Sequence, residues 1–275
     1  MRKEFLKGSL KAVCILCLHL LIMPNAMNVA SEKLSHLDYY TEARQCEEKG
    51  EFEKAAHLYH RAYETSGDLN FKKEMLRLEG QAYTYMKKYP EALRTYQEYL
   101  QLPHLFPFEL VRVKTAIAYI YVYQEKYLEA IKILDELKEK YKFEKWGDVY
   151  LGADIQFSKA AIYHHFVKDY EKAMSEYKKM IEEYPADWRV KNVPIVLRKI
   201  VGCLKQLQMY DAAIAICQEI AKEFSETDWA KMSKADIRII NEYYKIGKKP
   251  SEEDVLKVYR EMGIDDVQKY KVSDN

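Results

Sequence analysis

Glycine, proline and tryptophan are scarce in this sequence. Among 275 residues there are 9 glycines, 7 prolines and 3 tryptophans. Folds made mostly of strands need many tight turns, and such turns draw heavily on glycine and proline. The scarcity therefore argues against an all-β fold. Lysine, glutamate, alanine, leucine and tyrosine dominate instead, and most of these residue types favour long helices.

The sequence also lacks an excess of charge of either sign. Lys and Arg number 44, Asp and Glu number 43, and the formal net charge is +1. Binding to nucleic acid depends on an excess of positive charge, so we expect no nucleic-acid partner. Hydrophobic residues make up 48% and charged residues 32%. This balance is typical of a chain with a packed interior and argues against intrinsic disorder.

Motifs that carry chemistry are missing as well. The sequence has no glycine-rich phosphate loop, no His-Glu-x-x-His and no Gly-x-Ser-x-Gly. His164 and His165 are adjacent, but neighbouring positions on a helix point about 100° apart, which disfavours a shared metal ion. We therefore expect no enzymatic activity, no cofactor, no metal site and no small-molecule substrate.

The first 30 residues differ in kind from the remainder. Four basic residues and one acidic residue open the chain, and an apolar run of 13 residues follows. That run is shorter than the roughly 20 residues that span a bilayer. The layout is typical of a secretory signal peptide, with cleavage after Ala26 or Ala30, and predicts an exported protein. Two alternatives are an uncleaved N-terminal anchor and lipid attachment at Cys14 or Cys17.

Three cysteines follow the predicted signal peptide: Cys46, Cys203 and Cys217. An odd number excludes complete pairing within the chain. Cys203 and Cys217 fall in two helices of one predicted hairpin and could approach each other. The alternative is that all three are small buried apolar residues.

An aromatic residue followed three positions later by alanine recurs five times. The five alanines are spaced 37, 38, 43 and 40 residues apart. A period near 40 predicts a stack of similar helical units. The pairs are Phe52 and Ala55, Tyr89 and Ala92, Tyr127 and Ala130, Tyr170 and Ala173, and Tyr210 and Ala213.

The pattern predicts two helices in each unit, the second of which begins at the aromatic residue. Alanine suits a place where two helices cross closely, because a larger side chain would push them apart. A residue four positions beyond each alanine shares its helix face and fills the adjacent space. These residues are Tyr59, Tyr96, Leu134, Tyr177 and Cys217. A second aromatic position lies fifteen or sixteen residues past each alanine and holds Phe71, Phe108, Trp146, Trp188 and Trp229.

Over residues 36–230 the sequence resembles the tetratricopeptide repeat family. The matching small, aromatic and proline positions include Gly80, Tyr83, Tyr89, Ala92, Tyr96, Ala118, Tyr121, Tyr127, Ala130, Ala161, Tyr170, Ala173, Tyr177 and Pro185. The period of 37 to 43 residues exceeds the 34 of the family. In its long units and export signal the chain is similar to bacterial envelope proteins of the BamD and CpoB type.

The resemblance implies an all-α fold: a right-handed α-solenoid of about five helical hairpins plus a C-terminal capping helix pair. The predicted organisation is a signal peptide (1–30), tetratricopeptide-like repeats (31–228), a degenerate sixth repeat or cap (229–263) and a flexible tail (264–275).

The resemblance further implies a non-catalytic scaffold or adaptor of the cell envelope that binds a protein or peptide partner, in the periplasm or in an outer-membrane complex. In this family the first helices of the units line a concave groove. The corresponding residues are Tyr40, Arg44, Arg77, Tyr85, Arg112, Tyr119, Tyr123, His165, Phe166, Arg198 and Lys205. Because arginine and tyrosine often anchor interfaces, we expect a partner segment with acidic and apolar residues.

The lysine and asparagine that clamp a terminal carboxylate in some family members are not matched here. Tyr40 and Arg44 stand at those positions, so binding of a chaperone tail is not expected. Two other functions remain open. One is a structural homo-oligomer that stacks through end or convex faces, and the other is a membrane-anchored regulatory subunit.

Overall fold

The structure is a computed structural model that describes residues 35–264. The predicted signal peptide, Cys14, Cys17 and all but the first residue of the predicted tail lie outside this range. The described residues form twelve α-helices. They are α1 (His36–Glu48), α2 (Phe52–Thr65), α3 (Leu69–Tyr85), α4 (Tyr89–Gln101), α5 (Pro107–Tyr123), α6 (Tyr127–Tyr141), α7 (Leu151–Ala161), α8 (Tyr170–Glu183), α9 (Ala186–Gln206), α10 (Tyr210–Glu223), α11 (Asp228–Glu242) and α12 (Glu252–Glu261).

Four short elements interrupt this series. Strands β1 (Lys145–Trp146) and β2 (Val149–Tyr150) pair antiparallel between α6 and α7. A π-helix (Ile162–Val167) continues α7, and a 3₁₀ turn (Tyr244–Ile246) follows α11. Within the range that the structure covers, no helix has the length and apolar character needed to cross a membrane.

The described residues divide into two compact units, one that ends at Thr95 and one that begins at Tyr96, and α4 contains the division. In the first unit α1 packs on α2, and α2 packs on α3. In the second unit each helix from α5 to α11 packs on the next one, and α12 packs on α11. Sequential packing of this kind is the hallmark of helical repeats. It confirms the all-α repeat architecture that the sequence predicts.

The aromatic-alanine pattern has the structural role that its spacing predicts. Helices α2, α4, α6, α8 and α10 each begin at the aromatic residue of a pair. Each of the five alanines is completely buried. The residues four positions beyond, from Tyr59 to Cys217, are buried as well. The same close helix-helix contact, with no room for a side chain larger than alanine, therefore recurs in each of the five repeats.

The turn before each of these helices contains one residue with a positive φ angle. That residue stands five positions before the alanine in all five units. The residues are Gly50 (φ 77°), Lys87 (58°), Glu125 (60°), Lys168 (59°) and Gln208 (59°). A left-handed residue satisfies the last carbonyls of a helix and reverses the chain. The turns are therefore as regular as the helices, although glycine occupies only one of them.

Trp146 differs from the other aromatic residues at its repeat position. It lies in β1 rather than in the first turn of a helix, and 53% of its surface is exposed. Its ring stacks on Phe108 with 3.6 Å between centroids. Trp188 and Trp229, in contrast, lie in the first turns of α9 and α11. The hairpin and the π-helix together fall within the 43-residue interval, which is the longest of the four.

Cys46, Cys203 and Cys217 are free and buried. This confirms the expectation of small apolar core residues and excludes a disulfide between Cys203 and Cys217 in this structure. Burial raises the pKa of both thiols to about 12. They are therefore neutral at physiological pH.

The last two helices of the described residues share a hydrophobic cluster. Ser251 caps α12 through a reciprocal pair of hydrogen bonds with Asp254. Val258 and Tyr259 of α12 are buried in a cluster that includes Met232 of α11. Helix α11 stops at Glu242, and the 3₁₀ turn follows it.

Candidate functional site

The second unit contains an open cleft with a volume of about 480 Å³. We call it the C-terminal cleft. Residues of the π-helix, α9, α11 and α12 form its walls, together with Tyr244 of the 3₁₀ turn. The first helices of three successive repeats thus contribute to it, namely α7 with its π-helix, α9 and α11. Helix α12 forms one side.

One wall of the C-terminal cleft carries cationic groups. Lys199 and Lys205 of α9 line it. Lys199 is 8% exposed, and the Lys205 ammonium lies 5.5 Å from the centre of the Tyr244 ring. A cation over an aromatic face is attracted by the electron-rich ring, which fixes its position. The wall therefore presents positive charge from ordered side chains.

Two histidines extend this wall. The rings of His164 and His165 stack in parallel with 4.3 Å between their centroids. Gly202 of α9 permits the close approach, because a Cβ atom there would lie 3.2 Å from Cε1 of His164. Cys203 places its Sγ atom 3.6 Å from Nδ1 of His164. The π-helix adds a residue to the turn, so that two successive side chains reach the cleft.

Three lining residues from three helices are bonded to one another. Arg198 donates hydrogen bonds to Asp236 at 3.2 and 3.3 Å and to the Tyr259 hydroxyl at 2.9 Å. The Tyr259 hydroxyl donates to the other oxygen of Asp236 at 2.9 Å. Burial, followed by the nearby Asp236 charge, raises the pKa of Tyr259 well above its ordinary value. Hydrogen bonds among Arg198, Asp236 and Tyr259 thus join α9, α11 and α12. The bonds between Arg198 and Asp236 also form an ion pair.

The cleft is lined by more cationic than acidic side chains. Arg198, Lys199 and Lys205 are cationic, whereas Asp236 and Glu252 are acidic. Burial by itself lowers the pKa of Arg198, but the Asp236 carboxylate outweighs this effect and raises the pKa. Because Arg198 and Asp236 neutralise each other, the remaining balance favours a ligand with negative charge.

Each of the four predicted groove residues of the first compact unit contacts another side chain of that unit. The Tyr40 ring packs edge-on against Phe71. Arg44 bonds a carboxylate of its own helix, α1. Arg77 donates to the Gln81 amide oxygen, and the Gln81 amide donates to the Tyr85 hydroxyl. Tyr85 is 55% exposed.

The predicted residues of the second unit fall into two groups. Tyr119 and Tyr123 of α5 form an aromatic row with Phe166, with neighbouring centroids 6.5 and 6.1 Å apart. Arg112 is exposed in the first half of α5. His165, Arg198 and Lys205 line the C-terminal cleft together. His165 and Phe166 are neighbours in the chain and connect the row to the cleft.

Sequence reasoning missed several residues of the cleft. Lys199, Trp229, Asp236 and Leu256 line it, and so does Tyr259. Helix α12 appears in the sequence as an amphipathic cap, and periodicity alone does not tell which helices a cap touches. Among residues 35–264 there is no group of three or more His, Cys, Asp or Glu residues placed to hold a metal ion.

No protein-family model and no curated protein matches this sequence. Solved structures do resemble the fold. A signal transduction ATPase with numerous domains from Pyrococcus horikoshii, which carries a tetratricopeptide repeat sensor, has a TM-score of 0.50 at 17% identity. The match covers 87% of this chain and 36% of the other. This similarity concerns the fold alone.

Two further solved structures are more distant in shape. MamA from AMB-1 has a TM-score of 0.39 at 18% identity, over 70% of this chain and 92% of its own. The tandem tetratricopeptide domain of yeast Sti1, in complex with an HSP90 segment, has a TM-score of 0.35 at 15% identity. That match covers 85% of this chain and 95% of the other.

Proposed function

We propose that this protein is a non-catalytic protein-binding scaffold whose C-terminal cleft holds a segment of a partner protein. The observation that carries the proposal is the construction of the cleft. It combines a cationic wall with tyrosine and tryptophan side chains in one open cavity. The tetratricopeptide-type fold supports the proposal, because helical repeats present extended binding surfaces.

The size and lining of the cleft suit a few side chains of a peptide. Its volume of about 480 Å³ falls within the range of about 300–1,000 Å³ typical of ligand sites. Arg198 and Trp229 are of the residue types that most often dominate binding energy. Lys205, which lines the cleft beside Tyr244, favours a carboxylate on the partner. The expected partner segment therefore combines an apolar or aromatic side chain with an acidic one.

The location of the protein is a separate proposal. We propose that it is exported and works in the periplasm or at the cell envelope, because its first 30 residues have the layout of a signal peptide. N-terminal sequencing of the protein from its own cells tests this. A mature start at Met27 or Ser31 supports export, and an intact Met1 contradicts cleavage and favours the membrane-anchored subunit.

The binding proposal is tested by crosslinking from inside the cleft. A photoreactive amino acid at Gln206, which is exposed and lines the cleft, should capture a partner in the native cells. The same amino acid at Lys222, exposed on α10 and outside the cleft, is the matched control. Mass spectrometry of the crosslinked peptide then identifies the partner segment, which can be synthesised.

Titration of the synthetic segment decides the site. We expect Lys205→Glu to weaken binding by about tenfold, roughly 1.4 kcal/mol, because it places a like charge in the cleft. Lys222→Glu should leave the affinity unchanged. Equal affinities for wild type and Lys205→Glu, with circular dichroism showing intact helices, would refute the cleft as the binding site. Recovery of this chain alone would favour a structural homo-oligomer.

A further inference from the structure

Helix α12, the last helix among the described residues, depends on its docking surface. It contains ten residues, Glu252–Glu261. An isolated helix of this length is marginal in water, so its helical state relies on contacts with the remainder of the unit. The segment before it, residues 245–249, is exposed, and Gly247 adopts a positive φ of 73°. Such a segment can serve as a hinge.

The docking of α12 uses a few identifiable contacts. Val258 and Tyr259 are buried, at 2% and 6% exposure. The Tyr259 hydroxyl joins the Arg198 and Asp236 pair described above. Arg238 of α11 pairs with Glu261 at the end of α12. These contacts resemble those of a bound peptide: two buried anchors, one shared hydroxyl and a peripheral ion pair.

Helix α12 itself combines acidic and apolar residues, as expected of a segment that binds the cleft. Its first turn contains three acidic residues, Glu252, Glu253 and Asp254. Glu252 lines the cleft, in which cationic side chains outnumber acidic ones. The apolar residues of α12 follow at helical spacing and face α11. An acidic start followed by an apolar stripe is what an amphipathic ligand helix would present to this surface.

We propose that α12 is a displaceable occupant of the partner site, and that the partner is an amphipathic helix of the same chemistry. That helix would carry carboxylates in its first turn, followed by a valine and tyrosine stripe. It would dock on α9 and α11 when α12 moves away through residues 245–249. The inference rests on the proposed function, because it names the partner class of the same cleft.

The chain itself supplies the probe for a test. A dye-labelled synthetic peptide of residues 250–264 is titrated against the full-length wild type and a full-length Val258→Asp variant, with fluorescence anisotropy as the readout. In the wild type the tethered α12 competes at high effective concentration. In the variant the buried aspartate disfavours docking in cis and frees the site. We expect the variant to bind the peptide at least about tenfold more tightly.

Three controls keep the experiment specific. A peptide that carries Val258→Asp should not bind either chain. Circular dichroism and thermal unfolding of the Val258→Asp chain establish that α1 to α11 remain folded. Size-exclusion chromatography with light scattering excludes dimer formation as the source of the anisotropy change.

A double-mutant cycle locates the bound peptide. In the Val258→Asp chain, Arg198→Met should weaken binding of the tyrosine peptide by about tenfold, since it removes the donor to the hydroxyl. The same change should affect a Tyr259→Phe peptide much less. A coupling between chain and peptide places the peptide where α12 lies. Additive effects would place it elsewhere and overturn the inference.

Two further results would also overturn the inference: equal binding to wild type and Val258→Asp, or no binding to a folded Val258→Asp chain. Neither result touches the proposed function, whose test is the crosslinked segment and its sensitivity to Lys205→Glu. If that segment binds regardless of Lys205→Glu while the α12 peptide binds as expected, the proposed function fails at this cleft and only the displacement of α12 stands.

Discussion

Replacing Gly50 by alanine tests the left-handed turn that recurs before every second helix. Gly50 has a φ of 77°, and no other atom lies within 4 Å of the position that a Cβ atom would take. The effect of the substitution therefore comes from the backbone conformation and not from a clash. Gly67 provides the matched control in the same unit. Its φ lies outside the left-handed region, and its Cβ position is equally empty.

The two substitutions should have opposite signs. An alanine in the left-handed region costs about 1–2 kcal/mol. Replacing glycine also reduces the entropy of the unfolded chain, which stabilises the fold by about 0.4–1 kcal/mol. Gly50→Ala should therefore lower the free energy of unfolding by about 1 kcal/mol. Gly67→Ala has only the second effect and should raise it by about 0.4–1 kcal/mol.

Urea unfolding followed by circular dichroism measures both values. Both glycines lie in the first compact unit, so both substitutions report on the unfolding of that unit. The midpoints should move in opposite directions, and the slope of free energy against urea should stay constant. A shift of both midpoints in the same direction would refute the assignment of Gly50 to a strained left-handed position.

Three other predictions follow from buried contacts of the second unit. Gly152→Ala should destabilise the protein by about 2 kcal/mol, because its Cβ atom would lie 2.6 Å from the Lys142 Cα atom; thermal unfolding measures the loss. Cys203 and Cys217 are fully buried with pKa values raised to about 12, so a thiol reagent at neutral pH should label them only after unfolding. Burial alone raises the pKa of Glu183, but ion pairs with two lysines hold it below its ordinary value. Its stabilising effect should be present at neutral pH and be lost as pH falls through the acidic range, and Glu183→Gln should weaken that dependence in urea titrations at several pH values.

The sequence predicts the core of the repeats well because the same residue pattern occurs five times. Five alanines, each with an aromatic residue three positions before it, specify five helix starts, and each predicted start is an observed one. The positive-φ residue of the turns was not predicted. Four of the five positions hold lysine, glutamate or glutamine. The residue types therefore do not reveal the left-handed conformation that recurs there. The signal lies in the constant offset of five residues before the alanine.

The candidate site was predicted only in part, for two physical reasons. Family positions identify residues on the first helices, and they include His165, Arg198 and Lys205 of the C-terminal cleft. They do not describe a terminal helix, whose place depends on tertiary contacts such as the bond between Arg198 and Tyr259. Trp146 shows the same limit, since it lies in a local hairpin whereas the other four aromatic residues at its repeat position lie in helices.

The longest repeat interval and the cleft have a common origin. Between Ala130 and Ala173 the chain accommodates a hairpin before the first helix and a π-helix at its end. A π-helix rarely persists without a reason, because its wider turn packs less well than an α-helix. Here it brings His164 and His165 to α9, at a glycine that leaves room for the ring. Deleting one residue of the π-helix should restore α-helical winding and withdraw one imidazole from the cleft. Such a deletion variant should keep its helical content by circular dichroism and still lose affinity for the crosslinked partner segment. Retained affinity would show that the histidine wall contributes packing within the unit and no contact with the partner.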